Sequence, residues 1–298
     1  MDPDTRTPER YGAVTVLRAA NGGAYPYGNS TLVHGRDETL LIDPSLGLDD
    51  PRHEADVVLL SHGHEDHAAG LGHDRGSVHA HADDVAAVRD LDVMFAGFDT
   101  HVDGAAALRA SVTGQFDLAA RPDATGFADG DVFDLGGRTV TVVHLPGHTP
   151  GHCGFLVEPD GFFYVADIDL TSFGPYYGDP GSSLVAFDDS LRRCREVDAR
   201  WYGTAHQKGV IEGAEEFRRR LDAYRHVITV RDERLLAHLA EPRTLDEIVD
   251  HRLVYRPHVE GPHVAMVERL TARRHLARLQ AAGAVVEVEP GRHRATTV

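Results

Sequence analysis

Apolar side chains recur along this chain in short runs broken by Gly, Asn and Asp, the pattern of brief strands joined by tight turns. Ala13–Leu17, Thr31–His34, Thr39–Ile42 and Val57–Leu60 are such runs near the start. Two hairpins follow. Val132–Leu135 and Thr139–Val143 are joined through Gly136-Gly137, and Phe155–Val157 and Phe162–Val165 through Asp160-Gly161, a strong turn dipeptide. The second hairpin delivers Asp167 to a strand end. After Ser182 the spacing changes: Leu184, Phe187, Leu191 and Cys194 recur at helical intervals, which predicts a helix over one sheet.

From about residue 231 the pattern turns helical. Glu233–Ala240 reads as a helix, and Pro242-Arg243-Thr244 as a turn and N-cap whose Glu247 completes a capping box. Val264–Ala282 reads as a longer helix with Leu270, Leu276 and Leu279 on its inner side, ended by Gly283. Val285–Val288 and a Pro290-Gly291 turn complete a small winged-helix-like tail. The expectation is an α+β fold: an αββα sandwich over residues 1–230 and a small C-terminal winged-helix domain over 231–298.

Composition narrows the function classes. A chain of 298 residues is long enough for one large sandwich with an appended unit. Its net charge of −17 argues against a general polyanion binder. The tail alone is near neutral, with Arg269, Arg273, Arg274 and Arg278 on its long helix balanced by acids, so nucleic acid is not an expected partner and packing, a homodimer contact or a wall of the site is. Two cysteines, Cys153 and Cys194, form no C-x-x-C pair and suit free buried thiols in a reducing compartment. Met1–Arg6 lacks a basic and apolar leader pattern, and no run of 18 apolar residues occurs, which points to a cytoplasmic protein with no membrane span.

The chemistry concentrates in His62-Gly63-His64-Glu65-Asp66-His67, directly after the run ending at Leu60. Three imidazoles and the Asp66 carboxylate so close together are donors for a divalent cation, and a strand's end holds such donors in fixed positions while leaving them accessible. With 20 histidines in the chain, one H-x-H pair could arise by chance, but the full H-x-H-x-D-H string is a stronger signal.

H-x-H-x-D-H resembles the signature of the metallo-beta-lactamase superfamily. Later segments fit the same resemblance in order: Pro146-Gly147-His148, Phe163-Tyr164-Val165-Ala166-Asp167 and Gly203-Thr204-Ala205-His206, so it spans about residues 12 to 210. It implies that His62, His64 and His148 hold one metal, that Asp66, His67 and His206 hold a second, and that Asp167 bridges them. It also implies that a metal-bridged hydroxide attacks a small thioester, lactone or related acyl substrate. Asp66 is a ligand that could also accept a proton. Two divalent ions are expected, zinc first, with iron or manganese compatible. Asp43, after Leu40-Leu41-Ile42, stands where such proteins carry an acid that orients a metal-bound histidine. Tyr176 and Tyr177, on a Gly/Pro-rich loop after Asp167, are candidate pocket walls. His79, His81, His144 and His152 exceed the ligand count and read as strand or loop residues.

Two departures bear on specificity: His67 is followed by Ala68-Ala69-Gly70, and His206 sits in Thr204-Ala205-His206-Gln207-Lys208. True beta-lactamases of the superfamily lack the bridging Asp, so antibiotic hydrolysis is disfavoured. Two other activities within the resemblance are an iron persulfide dioxygenase using one metal and an endoribonuclease suggested by relatives with winged tails.

Overall fold

The computed structural model describes residues 8–46, 55–72, 76–99 and 105–296. Met1–Arg6, read above for a leader, lies outside the described residues. A seven-stranded sheet runs in the order β1 (Pro8–Tyr11), β2 (Val14–Leu17), β3 (Ser30–His34), β4 (Thr39–Ile42), β5 (Val57–Leu59), β6 (Ser77–His81) and β7 (Thr125–Phe127). Its first half is antiparallel, and β4 through β7 are parallel. A six-stranded sheet comprises β8 (Val132–Asp134), β9 (Thr139–His144), β10 (Cys153–Glu158), β11 (Phe162–Tyr164), β12 (Trp201–Gly203) and β13 (Val210–Glu212), with β11 and β12 parallel.

The inner strands β2, β4, β5 and β11 are buried on both faces, which is why they read as continuous apolar runs rather than as alternations. In β4, Leu40 and Ile42 face the other sheet while Leu41 faces outward, and β5 divides Val57 and Leu59 from Val58 in the same way. The inter-sheet core joins these to Val140, Val142, Phe155, Val157, Phe162 and Tyr164. Outside the first sheet lie α1 (Glu65–Ala68), α2 (Val85–Arg89), α3 (Leu91–Asp99) and α4 (Ala105–Phe116); outside the second lie α5 (Leu184–Glu196) and α6 (Ala214–His238). This is the αββα sandwich that the sequence predicts. The helix expected after Ser182 is α5, with Ser183 as its N-cap and Leu184, Phe187, Leu191 and Cys194 all buried against the second sheet.

The C-terminal part contains α7 (Leu245–His251), α8 (Pro262–Ala281) and a three-stranded sheet of β14 (Arg243–Thr244), β15 (Val285–Glu289) and β16 (Arg292–Ala295) in the order β14-β16-β15. The Thr244–Glu247 capping box is formed in both directions. Leu235, Leu239, Ile248, Leu276, Leu279 and Val285 make this part's own core. One expectation needs correcting: the helix placed at Glu233–Ala240 is the end of α6, which begins at Ala214 and runs 25 residues. The boundary placed between residues 230 and 231 therefore falls inside a helix. The N-terminal turns of α6 pack Phe217, Leu221, Tyr224 and Ile228 on the second sheet, and its end supplies Leu235 to the C-terminal core.

Candidate metal centre

Strand ends bring the candidate ligands together. His62 and His64 follow β5 directly, and Asp66 and His67 lie in α1. His148 follows β9, Asp167 follows β11 and His206 follows β12. Three residues at these strand ends hold left-handed backbone: Asp43 (φ 52°), Ala166 (φ 47°) and Gln207 (φ 51°). Such conformations cost on the order of 1 kcal/mol or more each and persist where surrounding packing enforces them. At Ala166 the turn swings the chain out of β11 so that Asp167 faces the histidines.

All seven predicted ligands converge. His64 Nδ1 stands 3.0 Å from His62 Nε2 and 3.0 Å from His148 Nε2. The second triad is looser, with His206 Nε2 3.2 Å from Asp66 Oδ2 and His67 Nε2 3.8 Å from Asp66 Oδ1. Asp167 lies between them: its Oδ1 is 3.0 Å from His67 Nε2 and 3.6 Å from His206 Nε2, and its Oδ2 is 3.2 Å from His148 Nε2. Nitrogens bound about 2.1 Å from one ion at angles near 90–110° stand roughly 3.0–3.4 Å apart, so the first triad has the spacing of a ligand set.

Outer partners determine which nitrogen each imidazole presents. His62 Nδ1 donates to Ser61 Oγ (3.0 Å), His148 Nδ1 to the Tyr176 carbonyl (3.0 Å) and His206 Nδ1 to the carbonyls of Gly23 (2.8 Å) and Tyr27 (3.0 Å). His67 Nδ1 donates to Asp43 Oδ2 at 2.8 Å. His64 is reversed: its Nε2 faces Asp179 Oδ2 at 3.1 Å, leaving Nδ1 inward. Five ring nitrogens are thereby aimed into one buried space. Among the described residues, His67 Nε2 and Asp167 Oδ1 are buried without a properly aligned hydrogen bond, the arrangement expected of atoms whose partner is a cation. The residues present fit two divalent ions.

Electrostatics agree. Burial disfavours charge on every group here, yet Asp179 more than offsets it at His64, which is pushed up to about 9. Burial likewise opposes the His206 cation, but Asp167 and Asp66 push it up to about 10. The Asp167 carboxyl is held well below the usual range, with His67 foremost among the groups that overcome its burial. A field that stabilises imidazolium is one that attracts a dication.

Asp43 is 2% exposed and accepts from four donors: the Ser61 amide (2.7 Å), the Ser61 hydroxyl (2.6 Å), His67 Nδ1 and the Tyr164 hydroxyl (2.9 Å). Its carboxylate orients His67. Tyr176 stands beside the site, with ring centroids 5.7 Å from His148. Tyr177 does not: it is 1% exposed, and its hydroxyl bonds His275 Nε2 at 2.8 Å. Its ring faces away from the site because polar partners on α6 and α8 hold the hydroxyl there.

Three residues were not singled out from the sequence. Asp84 ties the two ligand loops together, accepting from Gly63 N (3.0 Å), Thr149 Oγ1 (2.6 Å) and Gly151 N (2.8 Å). His152, set aside as surplus, is fully buried and neutral, lowered to about 3 by burial, and its Nε2 accepts from the Asp167 amide at 3.3 Å. Asp179 is the third. Only His152 carried a signal, lying four residues after His148. His81, Asp83 and His144 also cluster. However, the His81 and His144 rings stack at 3.9 Å and 13°, so their in-plane lone pairs run side by side instead of converging.

A family model described as Metallo-beta-lactamase superfamily matches residues 25–206. The acyl-coenzyme A thioesterase MBLAC2 of Bos taurus is 31% identical over 148 residues, covering 41% of this chain and 51% of that protein. The chain thus spans about half the length of the curated relatives it matches. Among solved structures, a metallo-beta-lactamase family protein from Thermus thermophilus superposes with a TM-score of 0.71 at 24% identity, covering 95% of this chain and 99% of the other. A beta-lactamase domain protein from Burkholderia ambifaria gives 0.71 at 21% identity, covering 99% and 95%. At these identities the structural likeness speaks for the fold alone.

Proposed function

The chain belongs to the metallo-beta-lactamase superfamily, and on that premise we propose that it is a binuclear metallohydrolase of small acyl substrates, thioesters first and lactones second. One observation carries the reading: the Asp167 carboxylate reaches both triads, 3.0 Å from His67 Nε2 and 3.2 Å from His148 Nε2. Zinc is the first expectation, and iron or manganese would suit the same His and carboxylate donors. When bound, two such ions supply hydroxide near neutral pH and a Lewis acid for the acyl carbonyl.

The chain's own residues supply the rest. His62, His64 and His148 would hold one ion, and Asp66, His67 and His206 the other. Asp43 and Asp179 orient His67 and His64, and His152 and Asp84 fix the Asp167 amide and the two ligand loops. Asp66 is placed to accept a proton as well as to ligate, and Tyr176 to form one wall beside His148. The thioester preference draws on the likeness to an acyl-coenzyme A thioesterase over 148 residues.

A persulfide dioxygenase would use one ion at the same motif, so metal stoichiometry and oxygen consumption separate it from hydrolysis. Three of the four arginines of α8 give nucleic acid little support: Arg269 pairs with Asp246, Arg278 with Asp232, and Arg274 turns inward to carbonyls, while Arg273 is exposed. No helix among the described residues is long and apolar enough to cross a membrane. Cys153 and Cys194 are free and buried, and burial pushes both thiols up, which suits a reducing compartment such as the cytoplasm.

The test is elemental analysis of chain purified without added metal, followed by turnover of thioesters, lactones, phosphodiesters and persulfides with Asp167→Ala as control. The reading expects two ions per chain and acyl hydrolysis lost in the control. A folded chain with one ion and oxygen consumption on a persulfide would overturn it.

A further inference from the structure

The loop after Asp167 meets the centre on one side and the C-terminal part on the other. On the centre's side, Asp179 Oδ2 lies 3.1 Å from His64 Nε2, and the Tyr176 carbonyl accepts from His148 Nδ1. The Tyr176 hydroxyl donates to Asp179 Oδ1 (2.9 Å), and Ser182 Oγ donates to the His148 carbonyl (2.7 Å). Two of the three ligands of the first triad are therefore oriented by this one loop.

The loop has no strand or helix of its own to hold it, and arginines hold it instead. Arg274, on α8, donates from Nη1 to the Tyr177 carbonyl (2.6 Å) and from Nη2 to the carbonyls of Asp179 (2.5 Å) and Pro180 (3.4 Å). Arg231, near the end of α6, donates to the carbonyls of Pro175 (2.6 Å) and Phe173 (2.7 Å). Close approach of the backbone is part of the fit, since a Cβ at Gly178 would stand 2.4 Å from Val267 Cγ1 on α8. A guanidinium's planar fork can meet several carbonyls at once, where an ammonium is a point charge on a flexible stem. Arg274 thus grips the residues on both sides of the Asp179 side chain.

We propose that Arg274 is a positioning residue for the metal centre: by clamping Tyr177 to Pro180 it holds Asp179 against His64, and the C-terminal part thereby sets the affinity of the His62–His64–His148 triad. This rests on the binuclear reading above. The link to the metal is indirect, through a carboxylate that orients a ligand, and outer partners of that kind are worth about 10- to 100-fold in metal affinity.

The experiment titrates cobalt(II) into the full metal-free chain and reads stoichiometry, the affinity of each site and the visible spectrum. Wild type is expected to bind two ions. Arg274→Ala is expected to weaken one of them by about tenfold or more and to shift that site's spectrum, leaving the other unchanged. Arg274→Ala combined with Asp179→Ala is expected to be no weaker than Asp179→Ala alone, because the two act through one path. Full additivity, or wild-type affinity at both sites in Arg274→Ala, overturns the proposal. Should that variant not fold, Arg274→Gln decides, keeping a donor without the fork: weakening of one site supports the clamp, and unchanged affinity removes it. Leu279→Ala, which loosens the C-terminal core, should lower Tm and leave both affinities in place. If it weakens the first triad as Arg274→Ala does, general stability is responsible and the proposal falls. A wild type that binds fewer than two ions overturns the binuclear reading itself and the proposal with it.

Discussion

The two ligand triads share Asp167 but are braced by different parts of the molecule. His67 and His206 lean on the sandwich: His67 on Asp43, itself anchored by Ser61 and Tyr164, and His206 on the carbonyls of Gly23 and Tyr27. His64 and His148 lean on Asp179 and Tyr176, in a loop held by α6 and α8. One triad is braced from within the sandwich and the other from a loop outside the sheets. The difference teaches that a site assembled by a rigid scaffold can still have one half adjustable by a remote element.

The harshest way to break this contrast is to remove what the triads share. Asp167→Ala should cost both sites and lower kcat/KM by about a thousandfold or more, roughly 4 kcal/mol of transition-state stabilisation. Retention of two ions and of turnover would show that Asp167 bridges nothing. Asp43→Asn is the sharper probe. It should weaken the Asp66–His67–His206 site by about 10- to 100-fold and spare the other, as metal titration would reveal.

Proton linkage comes next in size. His64 at about 9 and His206 at about 10 are cationic at neutral pH in the metal-free chain, so binding must displace their protons. Affinity should therefore rise with pH up to about those values, by as much as tenfold per unit for each proton displaced. Calorimetry in two buffers of unlike ionisation enthalpy measures the protons released, and equal apparent enthalpies would contradict it.

Much of this was legible in the chain. The apolar runs of β2 to β5 and both glycine hairpins are local patterns, and the ligands share one dense motif followed by ordered partners. Asp43 could be placed through the family resemblance, standing directly after a strand where such proteins carry an acid. What stayed hidden depends on backbone acceptors and donors. Asp84 binds amides of two loops, and Arg274 binds carbonyls almost a hundred residues away, and main-chain atoms leave no trace in residue identity. Tyr177 misled for a related reason, since its aromatic character suits a pocket wall equally well as a buried anchor for His275. The early turns of α6 were open to the same helical reading as α5, since Phe217, Leu221, Tyr224 and Ile228 recur at helical intervals with Arg218, Arg219 and Arg220 between them.

The mildest prediction concerns a feature read directly from sequence. Thr244→Ala removes one arm of the capping box and should lower stability by about 1 kcal/mol with no change in metal affinity at either triad. A changed affinity would mean that α7 also reaches the centre, and that the contrast between the triads is wider than Arg274 alone.

Helix α6 runs unbroken for 25 residues, a rod of roughly 37 Å at about 1.5 Å per residue. It begins in the packing of the second sheet and ends in the C-terminal core. A rod anchored at both ends transmits torque, so the C-terminal part has no free hinge about which to swing at this junction. Melting is accordingly expected as a single cooperative transition, and slow amide exchange should continue along α6 past residue 230 without a step.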